Sequence, residues 1–268
     1  ARAMLKDGLF TRFPKPDFAI ALHVTSDCAV GAVKLVAGPA FANVDSVDIV
    51  VKGKGGHGSA PETTVDPIVQ AAELVLSLQT IVSREIKPTE PAVVTIGSIH
   101  GGTKHNIIGN ECRLQLTVRS YTDEVRRQIH DAIVRKAKAV AVAYAAPEPE
   151  ITFSEGTPSL NNNADLAQRM QRVFERTIGV ENVFNDEPSM GGEDFSEYGL
   201  AGVPILMYRL GTVHSERMAR FEELKAKPPS LHSSDYYPDF PNAIRISVAT
   251  MTAAVIDLLP PNDPNPAR

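Results

Sequence analysis

The stretch CRLQLTVRSYTDEVRRQIHDAIVRKAKAVAV, residues 112–142, changes its period part-way along. Cys112, Leu114, Leu116 and Val118 alternate with Arg113, Gln115, Thr117 and Arg119, the two-residue repeat of a strand with one wet face. Thr122 then stands where an N-cap belongs, and Val125, Ile129, Ile133, Ala137 and Val140 follow at helical spacing. The flanks repeat the theme. Val47, Ile49 and Val51 alternate with Ser46, Asp48 and Lys52, and Asp66-Pro67 pairs an N-cap with proline at the first helical position. Ile68, Ala72, Val75, Leu78 and Val82 mark one face of the helix so opened. Ala92 to Ile99 is a β-branched run, and Glu150 to Ser154 reads as a last strand. The order βαββαβ predicts a ferredoxin-like unit over residues 41–153, one antiparallel sheet with two helices on one face.

Outside that unit the pattern is α/β. Phe18 to Val24 (FAIALHV) and Val203 to Tyr208 (VPILMY) are short apolar runs, as in strands buried on both faces of a parallel sheet. Asn163 caps a helix carrying Leu166, Met170, Val173 and Phe174, with Gly179 as its stop. Ile244, Val248, Met251 and Val255 mark a final helix before a Pro-rich tail. The expected organisation is a discontinuous α/β domain, residues 1–40 and 154–268, interrupted by the ferredoxin-like insertion, with the first and last segments packing together. Residues Ala1 to Phe10 read as a helix already running, stopped at Gly8, with no initiator Met or N-cap before it. The sequence is therefore expected to begin inside a longer protein.

With 43% hydrophobic and 22% charged residues, the 268-residue chain has an ordinary globular composition. A net charge of −5 gives no electrostatic footprint for nucleic acid or an anionic membrane surface. No apolar run is long enough for a transmembrane helix. Cys28 and Cys112 cannot build a disulfide scaffold and read as half-buried thiols in a reducing compartment.

Chemistry must come from histidines and compact polar motifs, since HExxH, GxSxG, a P-loop and CxxC are absent. His23 lies near the carboxyl end of a strand, where α/β sites form, although a core histidine bonded to a carbonyl fits equally. His232, in LHSSDYYPD, is a metal ligand with polar neighbours or a member of an exposed loop. His57 sits in Gly55-Gly56-His57-Gly58, where a held imidazole could donate to an oxyanion or simply mark a tight connection. Asn106 lies between two strands. Arg119 shares a face with Arg113 and Gln115, suited to carboxylate recognition or to solvent. Ser189 to Tyr198 (SMGGEDFSEY) is either a helix start with acids in its first turn or a site-lining loop. His100, His105, His130 and His214 read as structural or solvated.

Taken together, ARAMLKDGLF…PD…ALHV, VKGKGGHGSAP…DPI, GGTKHNIIGNECRLQLTVRSY, SMGGEDFSEY and LHSSDYYPD resemble the co-catalytic metallopeptidase family of aminoacylases and glutamate carboxypeptidases. The likeness is to its amidohydrolase branch of hippurate hydrolases, indole-acetyl-amino-acid hydrolases and N-acyl-amino-acid amidohydrolases, with the segments in family order across nearly the whole chain. The resemblance implies a two-metal site, zinc or manganese, with His23 and His232 among the ligands. It implies that His57 is the lid histidine reaching across a dimer to the oxyanion, and that Asn106 and Arg119 contact the substrate and its carboxylate. Gly192 and Glu193 fall in the site-lining segment. The family's Cys-Gly-His-Asp motif is absent here, and the glutamate pair holding its general base is expected upstream of Ala1. Glu62 replaces a histidine that often follows Ala-Pro.

The implied function is metal-dependent hydrolysis of N-acyl amino acids by a cytoplasmic homodimer built through residues 41–153, without nucleic acid or membrane partners. The alternative is a catalytically incompetent dimerising or ligand-binding module. A ferredoxin-like regulatory domain on an unrelated enzyme is a third.

Overall fold

A computed structural model describes residues 1–259. The Pro-rich tail expected after the last helix lies outside the described residues. The chain opens with helices α1 (Arg2–Lys6) and α2 (Leu9–Arg12), then strands β1 (Ala19–Ala29), β2 (Val33–Leu35) and β3 (Gly38–Phe41). Next come β4 (Asn43–Lys52), β5 (Gly56–His57), α3 (Pro67–Thr80), β6 (Ala92–Gly101), β7 (Ile107–Ile108) and β8 (Glu111–Ser120). α4 (Asp123–Ala143), β9 (Glu150–Thr157), β10 (Leu160–Asn162), α5 (Ala164–Ile178) and β11 (Val183–Asn185) follow. α6 (Ser196–Leu200), β12 (Ile205–Val213), α7 (Ser215–Glu223) and α8 (Phe240–Leu258) complete it. Two compact units divide these elements: Ala1–Ala40, Asn161–Pro188 and Phe195 onward form one, Phe41–Leu160 with Ser189–Asp194 the other.

The second unit is a four-stranded antiparallel sheet in the order β6-β8-β4-β9. With β4, β6, β8 and β9 as first to fourth strands, this is the ferredoxin-like arrangement. Capping set its helices. The Asp66 carboxylate accepts from Ile68 N at 2.9 Å to start α3, and the Thr122 hydroxyl accepts from Val125 N at 3.2 Å to start α4. Register matches Val47 with Leu116 and Ile49 with Leu114, so one face presents a continuous apolar row. Ala71, Leu74 and Leu78 of α3 and Ile129, Ile133 and Ala137 of α4 bury against it. Each fully buried Leu or Ile contributes about 1.5–3 kcal/mol.

The α4 face is the one its spacing predicts; on α3 the expected Leu78 is buried and Val75 packs on the core, but the rest of the expected stripe does not face it. Ile68 and Val82 are 41% and 37% exposed, while Gln70, Ala71, Leu74 and Leu78 face the core. Apolar residues surround α3, so several stripes satisfy the helical period and the sheet chooses between them. Gln70 takes part because its amide donates to Lys52 O and Asp66 O.

Strand parity also puts Asp45 on the helix side, where its side chain is 1% exposed. Arg126 of α4 donates to both Asp45 oxygens, and His130 Nε2 lies 2.9 Å from Oδ2 with its ring against Phe153. Burial pushes this carboxyl up, but the hydrogen bonds from His130 and Arg126 outweigh burial and hold it at about 2.

The first unit carries a mixed sheet in the order β1-β12-β2-β11, with β1 parallel to β12 and β2 parallel to β11. The Asn163 side chain caps α5 through Leu166 N, and Gly179 ends it at φ +90°. Leu166, Met170 and Phe174 pack on Val33, Leu206, Tyr208 and Leu210. β12 is buried nearly throughout, as its apolar run predicts. β1 is only half-buried, because it pairs on one side only among the described residues. α8 departs most from expectation: of the expected stripe only Met251 packs against the core, Ile244, Val248 and Val255 are exposed, and Ala243, Thr250 and Ala254 are buried. Small side chains let the helix approach the sheet closely, and Tyr208 Oη meets Thr250 Oγ1 at 2.9 Å. No helix among the described residues is long and apolar enough to cross a membrane.

Candidate active site

His57 and Asn106 come together through a small ribbon. β5 pairs antiparallel with β7, placing His57 opposite Ile107, and Gly58 N donates to Asn106 O at 2.8 Å. The glycines are required by proximity. A Cβ on Gly58 would lie 3.2 Å from the Asn106 carbonyl, and one on Gly55 would lie 2.8 Å from Ile108 O. The Ser59 amide donates to His57 Nδ1 at 3.1 Å, with Ser59 Oγ at 2.6 Å. An amide can only donate, so Nδ1 is an acceptor, and in the neutral imidazole the proton sits on Nε2. His57 is therefore held as an exposed Nε2–H donor. Glu62 lies nearby in sequence, exposed in a short turn over Pro61–Thr63.

Arg119 stands at the far end of β8, half-buried on the face away from the helices. Its Nη1 donates to Met190 O at 2.6 Å, and Nε reaches Thr117 Oγ1 at 3.4 Å. Arg119 thus meets the Ser189–Asp194 segment, which contains Gly192 and Glu193. Gly192 lies against the same sheet so closely that a Cβ would fall 2.4 Å from Val44 Cγ2. Glu193 precedes α6 as loop, so the reading as an acid in a helix first turn does not hold for it. The ribbon of His57 and Asn106 is rooted beside Asn110, whereas Arg119 is eight residues beyond Glu111. At about 3.3 Å per residue of strand, that is roughly 26 Å.

His23 and His232 belong to the first unit. His23 is on β1 in register with Arg209, with Nδ1 2.7 Å from Val24 O. A carbonyl only accepts, so Nδ1 carries a proton, and Nε2 is the ring nitrogen that would bind a metal in the neutral imidazole. His232 is exposed in a turn. That turn is tied to the same sheet end: Tyr236 Oη meets Thr212 Oγ1 at 2.7 Å, and Thr212 Oγ1 donates to Thr25 O at 2.8 Å. Arg209 is neutralised by Asp186, whose side chain is 6% exposed.

Other candidates resolve as structural. His130 serves Asp45, and His214 caps α7 by accepting from Glu216 N. An adjacent acid pair, Glu222-Glu223, ends α7 with Glu223 paired to Arg220. Cys112 is 1% exposed rather than half-buried. Burial, reinforced by Asp27, pushes the Cys28 thiol up to about 12. Native Cys28 is expected to alkylate about a thousandfold more slowly at pH 7.5 than after denaturation. Iodoacetamide labelling followed by mass spectrometry measures this, and rapid native labelling would contradict the burial argument.

Among the described residues no group of three or more His, Cys, Asp or Glu side chains is placed to hold a metal ion. His23 and His232 supply imidazoles, but the donors present here do not by themselves complete a dinuclear centre.

The pattern of the peptidase dimerisation domain matches residues 41–145. N-acetyldiaminopimelate deacetylase of Priestia megaterium is 36% identical over 216 residues, 81% of this chain and 56% of that protein. Thermostable carboxypeptidase 2 of Saccharolobus solfataricus is 33% identical over 218 residues, 81% of this chain and 53% of that protein. A dinuclear metal-binding peptidase of the M20 family, the YXEP protein of Bacillus subtilis, has the same fold, with a TM-score of 0.72 over 96% of this chain and 60% of its own at 23% identity. The chain belongs to the M20 amidohydrolase family. It spans little more than half the length of the M20 relatives named above. The M20 dimerisation-domain match begins at Phe41 and covers both the His57–Asn106 ribbon and Arg119.

Proposed function

We propose that this chain serves amide hydrolysis of N-acyl amino acids, hippurate-like compounds among them, giving a carboxylic acid and a free amino acid. The observation carrying this reading is the tautomer of His57: a neutral imidazole locked as an Nε2–H donor suits a developing oxyanion. Arg119 takes the product-side carboxylate and Asn106 contacts the substrate. Gly192 and Glu193 line the site. The names of the relatives support the reading, since a deacetylase of an N-acetyl amino acid and a carboxypeptidase both act beside a carboxylate. Two divalent cations, zinc or manganese, are the cofactor the family points to, with His23 and His232 as this chain's ligands.

The homodimer forms through the lid domain, which we assign to residues 41–153 between catalytic segments 1–40 and 154–268. An acyl amino acid has only a few bonds between carboxylate and scissile carbonyl. Arg119 and the root of the His57 ribbon, at opposite ends of β8, therefore suit one substrate only if His57 comes from the partner subunit. A cytoplasmic setting accords with the two free thiols, Cys112 buried and Cys28 half-buried.

Arg119→Ala is expected to raise KM for N-acyl amino acids about 10–100-fold, the worth of hydrogen bonds to a charged group. KM for uncharged acyl amides should move little. An equal rise for both substrate classes would remove Arg119 from carboxylate recognition.

The incomplete donor set favours a second reading, a dimerising or ligand-binding module without catalysis. Metal content after dialysis separates the two: about two ions per chain supports the enzyme, none supports the module.

A further inference from the structure

Register places Val93, Arg119, Val44 and Thr157 in one row across β6, β8, β4 and β9. Their side chains share the face away from the helices. The segment Ser189–Gly192, distant in sequence, is laid over this row. Ala42 N donates to Ser189 O at 3.1 Å and to Gly191 O at 2.9 Å, and Gly191 N donates to Ser189 Oγ. Gly192 sits where a Cβ would be 2.4 Å from Val44 Cγ2 and 2.8 Å from Thr157 Oγ1. Between those attachments, Arg119 Nη1 takes the Met190 carbonyl at 2.6 Å.

We infer that Arg119 is a positioning residue for the Ser189–Asp194 segment as well as the carboxylate anchor. A guanidinium offers five N–H donors in a rigid fork. With Nη1 on Met190 O and Nε toward Thr117 Oγ1, Nη2 and the second Nη1 hydrogen remain to meet a carboxylate end-on. One side chain therefore links carboxylate binding to the seat of the loop that carries Glu193. A lysine cannot do both, because its ammonium is a single point. The kinetic consequence rests on the proposed function; the loop contact does not.

Amide hydrogen exchange on the full chain, wild type against Arg119→Ala and Arg119→Lys, tests this. The Ala42 and Gly191 amides are expected to exchange about tenfold faster or more in Arg119→Ala, with Val47 and Leu116 in the sheet ladder unchanged as a folding control. Arg119→Lys should restore much of that protection without restoring KM for acyl amino acids. In Arg119→Ala, kcat on an uncharged amide should also fall, separately from the KM effect on carboxylate substrates. Exchange at Ala42 and Gly191 within about twofold of wild type would overturn the inference. A protein that hydrolyses no amide would overturn the proposed function while leaving the exchange result standing.

Discussion

Replacing His57 with alanine is expected to lower kcat by two to three orders of magnitude, with KM for acyl amino acids nearly unchanged. That is the usual cost of deleting one donor to an oxyanion. The split between kcat and KM follows from timing: Nε2–H meets a charge that exists only in the transition state. Ser59 makes the donor ready by occupying Nδ1 with its amide and hydroxyl. Geometry adds a sharper test. If His57 serves the partner's site, a His57→Ala chain mixed with a His23→Ala chain forms heterodimers in which one of the two sites has every residue intact. Statistical mixing makes half the dimers heterodimeric, so activity should recover to about a quarter of wild type. Recovery to no more than the mean of the two inactive parents would place His57 in its own subunit's site or outside catalysis.

Some of this was legible in the sequence and some was not, for physical reasons. β8 and α4 declare themselves because each has polar residues on one side, so only one face can be buried. α3 and α8 lack that contrast. On α8 the conspicuous stripe is exposed at Ile244, Val248 and Val255 and meets the core only at Met251, since the sheet selects the small side Ala243, Thr250 and Ala254 for close approach. The histidine and arginine candidates were readable as residue types in glycine-rich or alternating segments. Their states were not. The His57 tautomer depends on a ribbon whose two strands have two residues each and lie far apart in sequence. The Arg119–Met190 contact joins residues 71 positions apart, and no local pattern encodes it. Asp45 went unnoticed although a signal existed: it shares parity with Val47, Ile49 and Val51, which puts a carboxylate on the buried side.

That carboxylate carries the largest stability effect we expect. Arg126→Ala should destabilise the protein by about 3 kcal/mol at pH 7, the lower end of the cost of breaking a buried pair, because His130 still holds Oδ2. The effect should depend on pH in a defined direction. The folded Asp45 carboxyl is held at about 2, below the unfolded value near 3.9. A depressed carboxyl contributes stability that is fully present above the unfolded value and is lost as pH falls through the folded one. The difference between wild type and Arg126→Ala should therefore be full at pH 7 and shrink between about pH 4 and pH 2. Urea denaturation at pH 7, 4 and 2.5 measures it, and Arg126→Lys provides the control, since lysine keeps the charge but cannot grip both oxygens. A loss that stayed constant across that range would assign the effect to packing of the arginine stem between β4 and α4. A loss that fades with acid assigns it to the ion pair.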